Sequence, residues 1–354
     1  MDSLPLQVID IAKNIAENGG RAMLVGGCVR DELMGIEPKD WDVEVYGVAP
    51  EKLRGILDSF GQVNVVGEAF TVYKLGNDLD VSLPRRERKV GHGHRGFVVE
   101  GDPNMSFEEA CSRRDFTVNA ILKDPLTGEI IDPFDGRSDL GSKVLRHVSA
   151  DTFAEDSLRV LRAAQFAARF EFDIALETVD LCKTIDVTDL PKERIWGELE
   201  KLLLIAARPS IGLKWLYDLG VVDLLFPEMK ALVGVPQEAE WHPEGNVDVH
   251  TMMVADEARK LIDDLTYERQ VAVMIGALAH SNLGFANRLV GGALHLVNKF
   301  AHRNSPSRSS NCFDRSPNPA KLVLVHEGSF FLTDELDQAG ASCPGKSLSV
   351  AAPG

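Results

Sequence analysis

AMLVGGCVRDELMGIEPKDWDVEVYG, residues 22–47, is the stretch whose reading decides the fold. AMLV is a continuous apolar run ending at two glycines, the pattern of a buried strand. VRDELMG is a short helix closed by Gly35, and DVEVYG alternates apolar and polar residues as a half-buried strand does. Gly26 and Gly27 therefore stand where a strand becomes a helix, a place where bare backbone N–H groups can face a phosphate. A plain turn also accounts for a glycine pair. Asp40 and Asp42 add a second signal, because residues i and i+2 of an extended segment point to one side and bring both carboxylates together. Two converging acids repel each other unless a cation sits between them, and hard oxygen ligands suit Mg²⁺. Taken alone, a DxD is more often an exposed acidic turn.

Working outward, Val8, Ile9, Ala12 and Ile15 recur at helical spacing, and PEKLRGILDSF is helical again. QVNVV, FTVYKL and LDVSL are further strand candidates. Residues 1–150 are thus expected to form an α+β head on a mainly β platform. Asp80, in LDVSL, is the best-placed third carboxylate for the acidic pair, although a plain surface aspartate fits it too. With two metals, one would lower the pKa of an attacking hydroxyl and the other would neutralise the transferring phosphate and its leaving group. Beyond residue 150 the pattern turns all-helical, in TFAEDSLRVLRAAQFAARF, KERIWGELEKLLLIA, IGLKWLYDLGVV and VHTMMVADEARKLI.

The chain has 354 residues, 44% of them hydrophobic and 26% charged. No run reaches the roughly 18–20 apolar residues of a membrane span, and the first residues lack signal or transit character, so a cytoplasmic protein without membrane contact is expected. The five cysteines form no CxxC pair, which argues for reduced thiols and against a zinc knuckle. A net charge of −16 is an awkward match for an RNA-binding protein. The charge is uneven, however: RRERKVGHGHR, residues 85–95, is a basic loop, either a solvated surface or a holder for a triphosphate or RNA end. Ser106 and Glu109 form a capping box that opens a helix after it.

In RRDFTVNA, Arg113 and Arg114 offer planar donors to phosphate oxygens, and Asp115 offers an acceptor to a sugar hydroxyl. Asn119, four residues after Asp115, falls on the same helical face. In AEDSLRVLRAAQF, Asp156, Arg159 and Arg162 are spaced by three, placing them on one helical face while Leu158 and Leu161 turn to a core. A surface salt bridge is the commoner meaning of that spacing. Cytosine and adenine, though, both present an exocyclic amine beside a ring-nitrogen acceptor, and a carboxylate next to a guanidinium complements that edge. Such a pair accepts CTP and ATP, rejects UTP and GTP, and needs no template.

In their order, GGCVRD, KDWDVEVYG, RRDFTVNA, IIDPFDGRSDL, EDSLRVLRAAQFAAR and ERIWGELEKLL resemble the class II tRNA nucleotidyltransferase and poly(A) polymerase family. The resemblance runs from about Ala22 to about Ala279. It implies a polymerase-β-like head followed by helical neck and body regions that measure a tRNA, with Mg²⁺ as cofactor and tRNA, CTP and ATP as partners. It implies metal binding by Asp40 and Asp42, with Asp80 completing the catalytic carboxylates. Nucleotide contacts would come from Gly26, Gly27, Arg30, Asp31, Arg113, Arg114, Asp115, Asn119 and Arg162. Base selection would fall to Asp156 and Arg159, supported by Glu155. The segment from Pro84 to about Gly101 matches the element that helps switch this family between CTP and ATP.

VVGEAFTVYKL, residues 65–75, looks like the tRNA-repairing branch, and a basic GRRF-like stretch of the polyadenylating branch is missing. A poly(A) polymerase, a CC-only or A-only adding enzyme and a non-catalytic RNA-binding relic are the competing readings. Oligomeric state stays open. Four regions are expected: the head at 1–150, a helical neck and body at 151–230, the start of an HD domain at 231–285 and a divergent tail without its own fold at 286–354. EWHPEGNVDVHTMMVADEA and ALAHSNLG resemble the opening of an HD phosphohydrolase domain, with His250 and His280 in metal-ligand positions. The expected His-Asp doublet reads His280–Ser281, so no phosphohydrolase activity is expected. HRNSPSRSSNCFDRSPNP, from His302, has little to bury, as after a frameshift or truncation.

Overall fold

Apolar spacing at the start of the chain builds α1 (Leu6–Glu17), which buries Val8, Ile11, Ala12 and Ile15. Ile11 rather than Ile9 completes the stripe, since 8, 11, 12 and 15 keep to a 3.6-residue period. The computed structural model describes residues 4–66, 72–89 and 97–279, together with the backbone of 324–326 and 329–331. His92, His94 and Arg95, part of the 65–75 stretch, the His280–Ser281 doublet and nearly all of the expected tail lie outside the described residues. Contacts divide the chain into two units, Met1–Phe300 and Ala301–Gly354.

The decisive stretch folds as β1 (Arg21–Val25), α2 (Gly27–Leu33) and β2 (Trp41–Tyr46). After α3 (Pro50–Asp58) come β3 (Val63–Val66), β4 (Val72–Leu75) and β5 (Leu79–Ser82). Alternation in β2, β4 and β5 buries every second residue, among them Val43, Val45, Tyr73 and Val81, against α1 and α3. The expected basic loop is instead an antiparallel pair, β6 (Arg85–Lys89) with β7 (Phe97–Gly101), registered from Arg85↔Gly101 to Lys89↔Phe97. Charge density hid it: β6 has no apolar residue to alternate, and its strand partner is the β-prone FVV run beyond.

Ser106 caps α4 (Phe107–Ser112), its side chain accepting from the Glu109 N–H at 3.1 Å as the capping box requires. A single 3₁₀ turn, Thr117–Asn119, leads to β8 (Leu122–Lys123) and β9 (Ile130–Ile131). The resulting seven-stranded sheet has the order β3-β4-β5-β2-β1-β8-β9. Only β2 and β5 run parallel in it. In α5 (Gly136–Ser142), the Gly136 backbone presses on the 3₁₀ turn so closely that a Cβ would lie 2.1 Å from the Thr117 carbonyl oxygen. Thr117 also donates to Asp139 at 2.7 Å, which ties the IIDPFDGRSDL motif to RRDFTVNA.

β10 (Val144–Leu145) passes into the helical part and pairs with β11 (Asp173–Ile174). The expected long amphipathic helix is broken in two, α6 (Ala150–Ala154) and α7 (Leu158–Phe170). The break falls at Asp156, whose carboxylate accepts from the Leu158 N–H at 3.2 Å; a short acidic side chain competing for backbone donors favours a new helix start. Then follow α8 (Leu176–Thr184), α9 (Lys192–Leu204), α10 (Pro209–Asp218), α11 (Val221–Leu225), α12 (Pro227–Lys230), α13 (Val247–Arg259) and α14 (Tyr267–Ala279). Their core takes in Phe116 and Val118 from the 3₁₀ region. Phe116 is fully buried and meets Phe153 and Phe166 edge-on at 5.6 and 5.8 Å. Burying such a ring contributes about 2–3 kcal/mol and fixes its neighbour Asp115. In the second unit, β12 (Leu324–His326) and β13 (Ser329–Phe331) form an antiparallel pair within the stretch expected to lack structure.

Candidate active site

The sheet's one parallel pairing sets the site. Its register places Asp42 directly opposite Asp80, so both carboxylates leave the same face on adjacent strands. Antiparallel pairing with β4 sets Lys74 beside Asp80, and its ammonium donates to both carboxylate oxygens at 2.8 and 2.7 Å. Glu44, two residues beyond Asp42, carries the acidic row onward to the Arg114 guanidinium at 3.4 Å. Asp42 is open to the solvent of the cleft but walled by protein atoms. That burial raises its pKa; Arg114 opposes the shift, and Asp80 and Asp40 reinforce it by repulsion.

These carboxylates form one wall of a cleft of about 470 Å³. Its lining holds six arginines, Arg85, Arg113, Arg114, Arg159, Arg162 and Arg194, against five carboxylates, Asp42, Glu44, Asp80, Asp115 and Asp156. On a chain of net charge −16, this concentrates guanidinium donors where a triphosphate would find them. Gly26 has φ +71, and a Cβ there would lie 3.1 Å from Arg114 Nη1, so a bare backbone is required at the rim.

Asp115 joins head to helices. Its Oδ1 accepts from the Phe116 N–H at 2.8 Å and Asn119 Nδ2 at 2.9 Å, and its Oδ2 accepts from Arg162 Nε and Nη2 at 2.9 and 2.6 Å. Burial alone would raise the Asp115 pKa, but Arg162 and these hydrogen bonds hold it below the ordinary carboxylate value. Asn119 reaches Asp115 through the 3₁₀ turn, not along an α-helical face as expected. Arg162 also faces Glu198 on α9, 3.8 Å away.

Asp156 and Arg159 both line the cleft, but Asp156 sits ahead of α7 and the expected single helical face does not form. Arg159 donates to the carbonyls of Thr152 and Arg113 at 2.7 and 2.6 Å, which fixes the plane of its guanidinium. Asp156 is held by Arg194 on α9 at 2.8 Å.

Of the residues expected from sequence, Asp42, Asp80, Arg113, Arg114, Asp115, Asp156, Arg159 and Arg162 line the cleft. Gly26 borders it through Arg114 and Asp42. Gly27, Asp31, Asp40, Asn119 and Glu155 lie outside the lining. So does Arg30: it is 4% exposed, donates to Asn119 at 2.7 Å and to Asp31, and lies over the rings of Phe166 and Phe170. Arg30 and Asn119 brace the site from behind. Sequence reasoning missed Glu44, Lys74 and Arg194. Glu44 extends the same i, i+2 row as Asp40 and Asp42, whereas Arg194 is 38 residues from its partner and leaves no local signal.

Residues 22–146 match the poly A polymerase head domain, and residues 171–232 match a region described as a probable RNA and SrmB-binding site of polymerase A. The chain belongs to the class II tRNA nucleotidyltransferase and poly(A) polymerase family. It is 44% identical over 254 residues to a multifunctional CCA protein of Stenotrophomonas maltophilia, covering 68% of this chain and 60% of that one. A multifunctional CCA protein of Psychromonas ingrahamii is 42% identical over 251 residues, with 69% and 60% covered. The chain thus spans about three fifths of the length of the curated relatives it matches. A solved tRNA nucleotidyltransferase complexed with a primer tRNA and an incoming ATP analog superposes with a TM-score of 0.52 at 26% identity, over 84% of this chain and 87% of that one.

Proposed function

We propose that this chain adds CMP and AMP to the 3′ end of tRNA from CTP and ATP, without a nucleic-acid template. The observation that carries the reading is the register-paired Asp42 and Asp80 facing an arginine-lined cleft. The multifunctional CCA relatives and the tRNA-bound neighbour direct it to tRNA. A cytoplasmic location goes with it, and no helix among the described residues is long and apolar enough to cross a membrane. We read 1–150 as the catalytic head, 151–230 as the nucleotide-selecting and tRNA-binding region and 231–285 as the start of an HD domain.

Adjacent carboxylates on one sheet face, one of them with a raised pKa, suit a hard divalent cation. Asp42 and Asp80, with Asp40 at the strand entrance, would hold Mg²⁺, which supplies charge neutralisation at the phosphate and a more acidic attacking hydroxyl. Arg113 and Arg114 bind the triphosphate, and the Asp115–Arg162 pair holds the turn after α4 that carries them. The primer's 3′ oxygen forms a bond to the α-phosphorus as the bond to pyrophosphate breaks, the hydroxyl proton leaving to solvent. Asp156 accepts the exocyclic amine of cytosine or adenine and Arg159 donates to the adjacent ring nitrogen.

The test offers Mg²⁺ with CTP, ATP or both to tRNAs lacking all, two or one of the CCA nucleotides. Full restoration with both, and none after Asp42→Ala or Asp80→Ala, is expected. A ladder of A on any RNA without C would move the chain to the poly(A) polymerase side; no incorporation at all would leave a non-catalytic RNA-binding protein.

A further inference from the structure

Away from the cleft, the segment before α13 gathers two imidazoles and a carboxylate. Glu244 Oε1 stands 3.1 Å from His242 Nδ1 and 2.5 Å from His250 Nδ1. The two rings meet edge-on with centroids 4.7 Å apart, and the three ligand atoms lie within 4.8 Å of one another. Among the described residues this is the one group of three histidine, cysteine or acidic side chains so disposed.

The segment is built to hold them. Val247 N–H donates to the Val235 carbonyl at 3.0 Å and Gly234 N–H to Asp248 at 3.2 Å, closing the chain on itself around residues 235–247. His242 N–H and Gly245 N–H turn back on Glu238 and His242, and Gly245 takes φ +107 at the corner. His250 sits on the first turn of α13, so the cluster pins a loop to a helix.

We propose that His242, Glu244 and His250 bind one divalent cation of the zinc class. Two imidazoles with one carboxylate are a borderline donor set, suited to Zn²⁺ rather than to the all-oxygen partners of Mg²⁺. Zinc bonds of about 2.0–2.2 Å put neighbouring donors roughly 3.2–3.5 Å apart. The His242–Glu244 separation is already close to that, and the His250–Glu244 pair opens by under about 1 Å as the cation replaces the shared protons. His242 and His250 keep 35% and 22% of their side-chain surface, which leaves room for water as a fourth ligand. The cation clips the 236–246 segment onto α13. None of the three residues lines the cleft, so the proposal stands apart from the nucleotidyl-transfer reading. It also differs from the His250 and His280 pairing that the HD resemblance implies.

The experiment uses the full chain stripped with a chelator, titrated with Zn²⁺ against a chromophoric competitor and with Co²⁺ for its d–d absorption. Asp42→Asn and Asp80→Asn are present throughout, removing the cleft's carboxylates. One equivalent is expected to bind, with at least tenfold weaker affinity in His242→Ala, Glu244→Gln and His250→Ala and a thermal midpoint that Zn²⁺ raises only in the parent. Glu244→Gln keeps the side chain's volume and decides the matter if a histidine variant fails to fold. Unchanged affinity in Glu244→Gln overturns the proposal, as does a loss that follows His280→Ala but not His242→Ala.

Discussion

Replacing Asp115 with asparagine tests the joint between head and helices. An amide keeps one oxygen and exchanges the other for a donor. If the oxygen stays toward Phe116 N–H and Asn119, the NH₂ meets the Arg162 fork; if the amide turns, it meets the other two donors. Breaking one side of a buried ion pair costs about 3–5 kcal/mol. Arg162 keeps 30% of its side-chain surface and has Glu198 as a second counter-ion at 3.8 Å, so we expect a loss of about 2–3 kcal/mol. Equilibrium urea unfolding measures it. Arg162→Met removes the orphaned cation, so the double variant should fall short of additivity by more than about 1 kcal/mol. The folded Asp115 pKa is lowered, so its contribution is present above the unfolded carboxyl value of about 3.9 and vanishes as pH falls through the folded value. Parent and variant stabilities should therefore converge in acid. A loss under about 1 kcal/mol at neutral pH, or additivity within about 0.5 kcal/mol, refutes the reasoning.

Three more outcomes are expected. Asp42→Asn removes a carboxylate that burial and two neighbouring acids disfavour, so its thermal midpoint without metal should rise while nucleotide incorporation is lost; a lower midpoint would contradict this. Arg194→Ala frees Asp156 from its partner, and since the two side chains are about a third exposed, stability should change by less than about 1 kcal/mol. KM for CTP and ATP should rise together in that variant and UTP should be better accepted, which steady-state kinetics on one tRNA will show. Gly136→Ala drives a methyl into the Thr117 carbonyl, backbone against backbone, and should cost about 1–3 kcal/mol or more by denaturant unfolding; a variant as stable as its parent would count against the close approach.

Local pattern made most of the head legible. Strands β1, β2, β4 and β5 follow from alternation or apolar runs, and the Ser106 cap follows from its box. Part of what escaped depends on partners distant in sequence, part on a local choice of hydrogen bond. In sequence β6 is RRERK and β7 is FVVEG, one strand charged and the other mainly apolar, so neither alone shows its mate. The break before α7 needs the Asp156 carboxylate to choose a backbone N–H over a helical turn, a choice that helix periodicity does not record. Arg30, a nucleotide contact by the family resemblance, also donates to Asn119 and lies over two phenylalanine rings from α7, neighbours that its place in the sequence does not announce. The acidic group was legible in part as geometry: Asp40 lies close enough for its charge to help raise the Asp42 pKa, and the sheet register adds what spacing along one strand cannot show, Asp80 directly opposite Asp42.

That last pairing has a consequence for how the head tolerates change. Asp42 and Asp80 meet because two backbones run side by side in one ladder, while everything between them, α3 and the β3–β4 hairpin, is an excursion that leaves and returns. The loops of that excursion can lengthen or shorten without moving either carboxylate, whereas β4 is tied to β5 and its Lys74 to Asp80. A one-residue slip within β5, by contrast, would turn Asp80 to the opposite face and present a valine in its place. Insertions are therefore cheap in the loops and fatal in four consecutive residues, Leu79–Ser82, which act as a ruler for the spacing of charge.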